Sequence, residues 1–257
     1  MFKHLLISGA FVALFAGGAA QAQTLLQDGF NGPTLASPGS VGSGFAVGSG
    51  GAYVSGGQAV VGTGGGNDQN IYSLDTFDPT NTSLTWVVDQ RPTIGAAGVS
   101  VGWAQSNIYT CAGCGPEIYL EARDDRIVFD VVGDNGFWRY YSNGPIGGSG
   151  PITMSMNLTA TGYTWNISDN GDSRSDSGLW AAGFGISNVI NAAGGNLSTF
   201  GATRSDAPSA DLGKFDRVSV STFVPEPGSW ALMLVGFGGI GGALRSRRGA
   251  TRAPALG

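Results

Sequence analysis

Histidine and lysine are almost absent from this sequence of 257 residues. His4 is the only histidine, and Lys3 and Lys214 are the only lysines. His4 lies in an N-terminal segment whose pattern predicts removal, so we expect the mature chain to contain no imidazole. Ser-His-Asp and Cys-His catalysis and histidine-ligated metal sites all require that group. The sequence therefore excludes these chemistries for the mature protein.

Charged side chains are also scarce, because Asp, Glu, Lys and Arg together make up 12% of the chain. This composition disfavours a helical bundle or a coiled coil. Residues 23–224 carry 8 basic and 17 acidic side chains, a net charge of −9, whereas residues 225–257 carry a net charge of +3. Affinity for nucleic acid comes chiefly from basic side chains that neutralise phosphates. We therefore expect no nucleic-acid binding by this acidic body.

The N-terminal segment has the three parts of a secretory signal peptide. Lys3 gives a charged start, residues 5–15 are an apolar stretch, and small residues lead to Ala20 and Ala22. This order predicts a signal peptide over residues 1–22, with cleavage after Ala22. The alternative is an uncleaved membrane anchor, but the apolar stretch is shorter than the ~20 residues that a membrane span needs.

The C-terminal segment combines prolines, a short apolar stretch and a basic cluster. Pro225 and Pro227 prevent a strand from continuing. Residues 230–244 are apolar and rich in glycine, and they are long enough for a helix of about 22 Å, which is a marginal span. The arginines that follow are expected to stay in the cytoplasm by the positive-inside rule. The sequence therefore predicts one short hydrophobic C-terminal helix that holds the body on the outer side of the membrane.

This tail resembles a PEP-CTERM sorting signal in the variant that carries Trp-Ala after the Pro-Glu-Pro triplet. The same tail is also named an ice-binding protein C-terminal domain, a name that says nothing about ice affinity of this body. The resemblance covers residues 225–248 and leaves residues 249–257 as a cytoplasmic extension. The residues that carry it are Pro225, Glu226, Pro227, Trp230, Ala231, Gly236, Gly238, Arg245, Arg247 and Arg248.

The resemblance implies export in a Gram-negative bacterium, an intermediate anchored in the inner membrane, and recognition by an exosortase. The final location implied is the cell surface or an extracellular matrix. The alternative is an ordinary C-terminal anchor that is not processed.

Between the two ends, residues 23–224 show short runs in which apolar and polar residues alternate. This period of two is typical of half-buried β-strands, and no helical stripe exceeds two turns. Glycine-rich stretches at 39–51 and 62–66 are predicted to be loops, and two hairpins are predicted at 124–125 and 160–162. We therefore predict an all-β domain, an antiparallel sandwich of two sheets. The predicted strands are 52–54, 58–61, 84–89, 98–103, 117–122, 126–132, 137–141, 153–158, 163–168, 178–185 and 215–223.

Residues 25–31 and 214–220 resemble the first and last strands of concanavalin-A-like jelly rolls, the sandwich of lectins and glucanases. The resemblance implies that these terminal strands pair. It also implies carbohydrate binding, by analogy alone.

The two cysteines, Cys111 and Cys114, are separated by two residues in a glycine-rich stretch. In an oxidising compartment such a pair is expected to form a disulfide. A redox-active pair is the alternative, although it favours a helix N-terminus. Zinc would need two further ligands that the mature body does not offer.

Glu117 and Glu121 are the only glutamates of the body, and their spacing places both on one face of a strand. The segment is similar to the Glu-x-Asp-x-Glu strand of family 16 β-glucanases, with Glu117 in the nucleophile position and Glu121 in the acid/base position. Tyr119 stands where that family has an aspartate. A secreted glycoside hydrolase is therefore one alternative, and a solvated polar strand face is the other.

An aromatic cluster at Trp138, Tyr140 and Tyr141 offers rings on which sugars stack. Alternation along the strand, however, sends Trp138 and Tyr140 to one face and Tyr141 to the other. Packing in the core is therefore the competing interpretation for each ring.

Asp169, Asp172 and Asp176 concentrate oxygen ligands of the kind that calcium prefers. Their order does not follow the EF-hand pattern, so a solvated turn is the competing interpretation. No other cofactor is expected.

Three classes of function remain. The first is a non-catalytic protein of the envelope or extracellular matrix that binds exopolysaccharide, the second a glycoside hydrolase that uses Glu117 and Glu121, and the third a purely structural surface protein.

Overall fold

The computed structural model describes residues 22–31, 44–49, 51–62, 69–92, 97–105, 115–133, 136–146, 150–204 and 212–222. These residues form fifteen strands and one helix. In chain order they are β1 Thr24–Asp28, β2 Phe45–Ser49, β3 Ala52–Ser55, β4 Gln58–Val61, β5 Gln69–Ser73, β6 Thr82–Gln90, β7 Gly98–Ala104, β8 Glu117–Arg123, β9 Arg126–Gly133, β10 Gly136–Asn143, β11 Ile152–Leu158, β12 Gly162–Ser168, β13 Ser173–Leu179, α1 Ile186–Ala193, β14 Ser198–Arg204 and β15 Gly213–Thr222.

The strands form two antiparallel sheets, which confirms the predicted two-sheet sandwich. Sheet A has the strand order β13-β12-β11-β6-β15-β4-β3, with β1 paired to β15. Sheet B has the order β10-β9-β8-β7-β14-β5-β2. In β6 and β11, buried and half-buried residues alternate along the strand. This alternation places one face of sheet A on the core and leaves the other face accessible.

The first and last strands of the body pair with each other, as the jelly-roll resemblance implied. Leu26 lies opposite Val220, and Asp28 lies opposite Val218. β15 also pairs with β6 along most of its length. The end of the body is therefore held inside sheet A and not at its edge.

Trp86 lies at the centre of the core between the sheets. It is fully buried, and its ring centroid lies 5.4 Å from that of Phe215 and 5.8 Å from that of Phe45. Its indole Nε1 donates a hydrogen bond of 3.1 Å to Thr199 Oγ1 on β14. One side chain thus links sheet A to sheet B through both packing and a buried hydrogen bond.

Both predicted hairpins are confirmed. Residues 124–125 connect β8 to β9, and residues 159–161 connect β11 to β12. The second turn is closed by Thr159, whose backbone N–H donates to the carbonyl of Gly162 at 2.9 Å. The Thr159 hydroxyl accepts a hydrogen bond from Gly162 N–H at 3.0 Å.

Other predicted boundaries are wrong. The strand predicted at 178–185 is β13, Ser173–Leu179, and the chain then turns into α1. The stretch 39–51, predicted to be a loop, contains β2. β5 and β14 were not predicted at all. Both strands are rich in polar residues, and β14 also contains a glycine, so their apolar periodicity is weak.

Candidate functional site

The two glutamates singled out from the sequence lie on β8, on the face of sheet B that points away from the core. The alternate residues Ile118, Leu120 and Ala122 belong to the core between the sheets. Glu117 and Glu121 are nevertheless each only 1% exposed. The predicted solvated strand face is therefore wrong, because β8 is buried on both of its faces.

Tyr119, which stands between the two glutamates, is part of a polar row that crosses three strands. It lies opposite Asp130 on β9, and Asp130 lies opposite Arg139 on β10. The Tyr119 hydroxyl donates a hydrogen bond of 2.9 Å to Asp130 Oδ2. Arg139 Nε donates to the same oxygen at 2.8 Å, and Arg139 Nη2 also contacts it. The row therefore fixes one buried carboxylate between a phenol and a guanidinium.

The phenol of Tyr119 is held in its protonated form. Burial raises its pKa well above the usual value, and the negative charges of Asp130 and Glu121 raise it further. Burial destabilises the phenolate because charge is costly in a medium of low dielectric constant. Tyr119 therefore acts as a hydrogen-bond donor to Asp130 and not as a base.

Gly102 on β7 lies opposite Tyr119 and allows the two strands to approach closely. A Cβ atom at position 102 would lie 2.1 Å from the carbonyl oxygen of Ile118 and 2.7 Å from Cα of Tyr119. No side chain fits there without movement of β8. The glycine therefore positions Tyr119 within the sheet.

Glu121 forms an ion pair with Arg123, the next residue on the same face of β8. Arg123 Nη2 lies 2.7 Å from Glu121 Oε2. Burial lowers the pKa of Arg123, but the hydrogen bond and the charge of Glu121 more than offset this, and the net shift is upward. The carboxylate of Glu121 is thus engaged by a charged side chain of its own strand face.

The backbones of Glu117 and Glu121 are separated by about 13 Å, given the rise of a β-strand. A retaining glycosidase needs carboxyl groups ~5–5.5 Å apart, one of them protonated to act as the acid. Here Tyr119 lies between the glutamates and is bonded to Asp130. Position 119, where the family 16 strand that this segment resembles has a carboxylate, therefore carries a phenol that is bonded to a carboxylate from the next strand.

Replacing Tyr119 with phenylalanine is expected to lower the free energy of unfolding by about 0.5–1.5 kcal/mol, because one buried hydrogen bond to Asp130 is lost. Chemical denaturation measures the change. Tyr53→Phe is the matched control, since Tyr53 is 45% exposed, and it is expected to have no measurable effect. Equal stabilities of Y119F and the wild type would show that the hydrogen bond from Tyr119 to Asp130 contributes nothing to folding.

Asp130 and Arg139 were not predicted as partners of this site. Asp130 could have been singled out because it interrupts the apolar sequence Ile-Val-Phe-Asp-Val-Val of β9. Its pairing with Arg139 depends on the register between β9 and β10, which the sequence does not reveal.

The predicted aromatic platform is not formed by Trp138 and Tyr140, and this corrects the interpretation of these two rings as an exposed sugar-binding surface. Trp138 packs against Phe129 and Tyr163, with ring centroids 5.9 Å and 5.4 Å apart. Tyr140 packs against Trp165 at 5.7 Å. Both rings therefore face the core between the sheets, while the side chain of Tyr141 lies outside the described residues.

The three aspartates considered for calcium have other partners. Asp176 lies within β13 and accepts a hydrogen bond of 3.0 Å from the Tyr163 hydroxyl. Asp172 pairs with Arg174. Asp169 begins the turn between β12 and β13, where its backbone N–H donates to the carbonyl of Asp172. The described part of the chain contains no group of three acidic, histidine or cysteine residues that could hold a metal ion.

Several predicted features lie outside the described residues. These are Cys111 and Cys114, almost all of the predicted signal peptide, and the whole tail from residue 225. The disulfide, the signal peptide and the hydrophobic C-terminal helix therefore stay predictions. Within the ranges that the structure does describe, no helix is long and apolar enough to cross a membrane.

The body is a concanavalin-A-like jelly roll, the class of sandwich found in lectins and glycosidases. It resembles the winged bean acidic lectin in complex with methyl-α-D-galactose, with a TM-score of 0.57, 8% identity, and coverage of 78% of this chain and 98% of the lectin. It also resembles LamAcat from Zobellia galactanivorans, with a TM-score of 0.52, 10% identity and coverage of 77% and 97%. A third neighbour is the CBM2 module of the evolved Dit of Lactobacillus casei BL23 phage J-1, with a TM-score of 0.53, 10% identity and coverage of 78% and 96%. At these identities the likeness shows the fold alone.

Residues 223–248 match the PEP-CTERM protein-sorting motif, which confirms the interpretation of the tail. The chain therefore carries a sorting signal that indicates exosortase-dependent export to the cell envelope. Comparison with curated proteins finds no sequence that matches.

Proposed function

We propose that this is an exported protein of the cell surface or extracellular matrix of a Gram-negative bacterium, and that its jelly roll binds polysaccharide without cleaving it. The sorting motif supports the location. The likeness to a lectin and to a carbohydrate-binding module supports the ligand class. The observation that carries the non-catalytic part is the ion pair between Glu121 and Arg123.

This ion pair opposes the role that Glu121 would have in a glycosidase. The acid/base residue must begin the reaction protonated, and active sites achieve this by raising the carboxyl pKa. Glu121 is instead held by Arg123 Nη2 at 2.7 Å, so its carboxylate is committed to a contact within the protein. Tyr119 in place of the expected aspartate removes a second requirement of the motif. The face of β8 that bears Glu117, Tyr119 and Glu121 therefore suits hydrogen bonding better than acid catalysis.

Affinity electrophoresis tests this proposal with the full chain, purified in a mild detergent, in gels that contain exopolysaccharide from the producing bacterium. We expect the polysaccharide to slow the migration of the protein, and we expect prolonged incubation to release no reducing sugar. A control gel without polysaccharide corrects for changes in charge. Unchanged migration would contradict binding and would favour a purely structural surface protein.

A glycoside hydrolase is the second candidate, and one observation favours it. Glu117 and Glu121 do share one face of β8 in a sandwich that glycosidases also adopt. If reducing sugar is released, E117Q and E121Q decide the matter. If neither variant releases reducing sugar, the protein is a hydrolase that uses both glutamates. If either variant still releases reducing sugar, the activity belongs to other residues or to a contaminant.

A further inference from the structure

The outward face of sheet A carries a regular set of uncharged hydrogen-bonding side chains on its last three strands. We call this set the hydroxyl-amide array. It consists of Ser155, Asn157, Thr164, Asn166, Ser175 and Ser177.

The strand register aligns these six residues in two rows. Asn157, Thr164 and Ser177 lie opposite one another across β11, β12 and β13, and Ser155, Asn166 and Ser175 form the second row. Neighbouring strands are ~4.8 Å apart, and alternate residues of one strand are ~6.7 Å apart. Ser83 and Thr85 continue the two rows onto β6. Donors and acceptors are therefore spaced on the scale of a sugar ring.

Hydrogen bonds within this face fix the orientation of its amides. Asn157 Nδ2 donates to Thr164 Oγ1 at 3.1 Å. Asn166 Nδ2 donates to Ser173 Oγ, which flanks the array, at 2.9 Å. Because these amides are already held, less conformational entropy is lost when a ligand binds.

All six residues line one shallow depression of about 460 Å³. An adjoining depression of about 390 Å³ shares Asn157, Thr164 and Ser177. Asp176 also borders the first depression, but its carboxylate accepts a hydrogen bond from the Tyr163 hydroxyl. The row Asn157-Thr164-Ser177 is therefore common to two adjacent concave regions of an accessible surface.

Charge distinguishes the hydroxyl-amide array from the outward face of sheet B. The face of sheet B bears Glu117, Glu121 and Asp130 together with Arg123 and Arg139. The hydroxyl-amide array bears no charge on any of its six side chains. The charged residues of β13, Arg174 and Asp176, alternate with Ser175 and Ser177 and therefore belong to the other face of that strand. A neutral polymer rich in hydroxyl groups complements such a surface, whereas a polyanion finds no cation there.

We propose that the hydroxyl-amide array is a binding surface for neutral polysaccharide. This inference rests on the proposed function for the general class of ligand. It adds which surface of the protein binds the ligand, and that the ligand is uncharged. Each contact is a neutral hydrogen bond of modest strength. Affinity therefore depends on a polymer that contacts both rows at once.

The test uses the triple variant N157A/T164A/S177A of the full chain, which removes the row shared by both depressions. Exopolysaccharide of the producing bacterium is separated by anion exchange into a neutral and an acidic fraction, and each fraction is cast in native gels. We expect the neutral fraction to slow the wild type, and we expect the variant to need at least about tenfold more of it for the same effect, since several hydrogen bonds are lost.

The matched control is S55A/T76A/N191A, which removes one serine, one threonine and one asparagine at exposed positions away from the array, and it is expected to bind as the wild type does. A second variant, S175K/S177K, places charge on the exposed edge strand and should also weaken binding. Thermal unfolding of each variant verifies that it is folded.

The outcomes separate this inference from the proposed function. If the neutral fraction slows the triple variant and the wild type equally, or if only the acidic fraction slows the wild type, the array is not the binding surface for a neutral ligand, but polysaccharide binding stands. Weaker binding by E117Q/E121Q combined with unchanged binding by the triple variant would move the site to sheet B. If neither fraction slows the wild type, the proposed function itself fails.

Discussion

Replacing Trp86 with alanine is expected to lower the free energy of unfolding by about 3–5 kcal/mol, the usual cost of removing a large buried aromatic side chain. The ring is fully buried among Phe30, Phe45 and Phe215. Its loss leaves a cavity at the junction of the two sheets and leaves Thr199 without the indole donor. Denaturant titration followed by circular dichroism measures the change.

Two further variants help to explain the loss of stability expected for W86A. Trp86→Phe keeps an aromatic ring but removes the Nε1 donor, so its cost is expected to fall between those of the wild type and W86A. Leu179→Ala is the surface control, because Leu179 is 79% exposed, and it should change the stability by less than about 0.5 kcal/mol. A loss below about 1 kcal/mol for W86A would contradict the central role of this residue.

Changing Glu226 and Pro227 together to alanine is expected to abolish sorting in the native host. The two residues belong to the matched motif, and the change removes both a charge and a fixed backbone angle from the segment that precedes the predicted hydrophobic helix. We expect the variant to keep its tail, to remain with the membrane fraction and to be lost from the cell surface. Intact-mass measurement and surface proteolysis of whole cells detect the two effects.

Pro254→Ala is the matched control for this experiment, since Pro254 lies beyond the motif, and it should be processed normally. Unchanged mature mass and unchanged surface display of E226A/P227A would show that the tail is an unprocessed anchor.

Period-two alternation predicted the sandwich because two central strands of sheet A follow it closely. β6 and β11 bury every second residue, and these two strands lie side by side in the middle of sheet A. The pattern failed for β13, whose sequence Ser-Arg-Ser-Asp-Ser-Gly-Leu contains one apolar side chain. An edge strand buries fewer apolar side chains than an interior strand does. The strand was therefore predicted too late in the chain, where Trp180 and Phe184 supply apolar residues after β13.

The candidate site was predicted only in part, for a related reason. The spacing of Glu117 and Glu121 correctly placed both on one face of β8. Their burial was not predicted, since alternation assigns a side chain to one face of a strand but does not show what covers that face. The bonds that connect Tyr119, Asp130 and Arg139 depend on register across three strands, and no local pattern encodes that register.

The pairing of β15 with both β1 and β6 also bears on mechanical resistance. Antiparallel hydrogen bonds run perpendicular to the strands, and those of β15 extend from Lys214 to Thr222. A force transmitted to the body through the chain beyond Thr222 acts along β15, so the bonds to both neighbours bear it together in shear. A protein held at its C-terminal end would thus resist flow and drag without unravelling from that end.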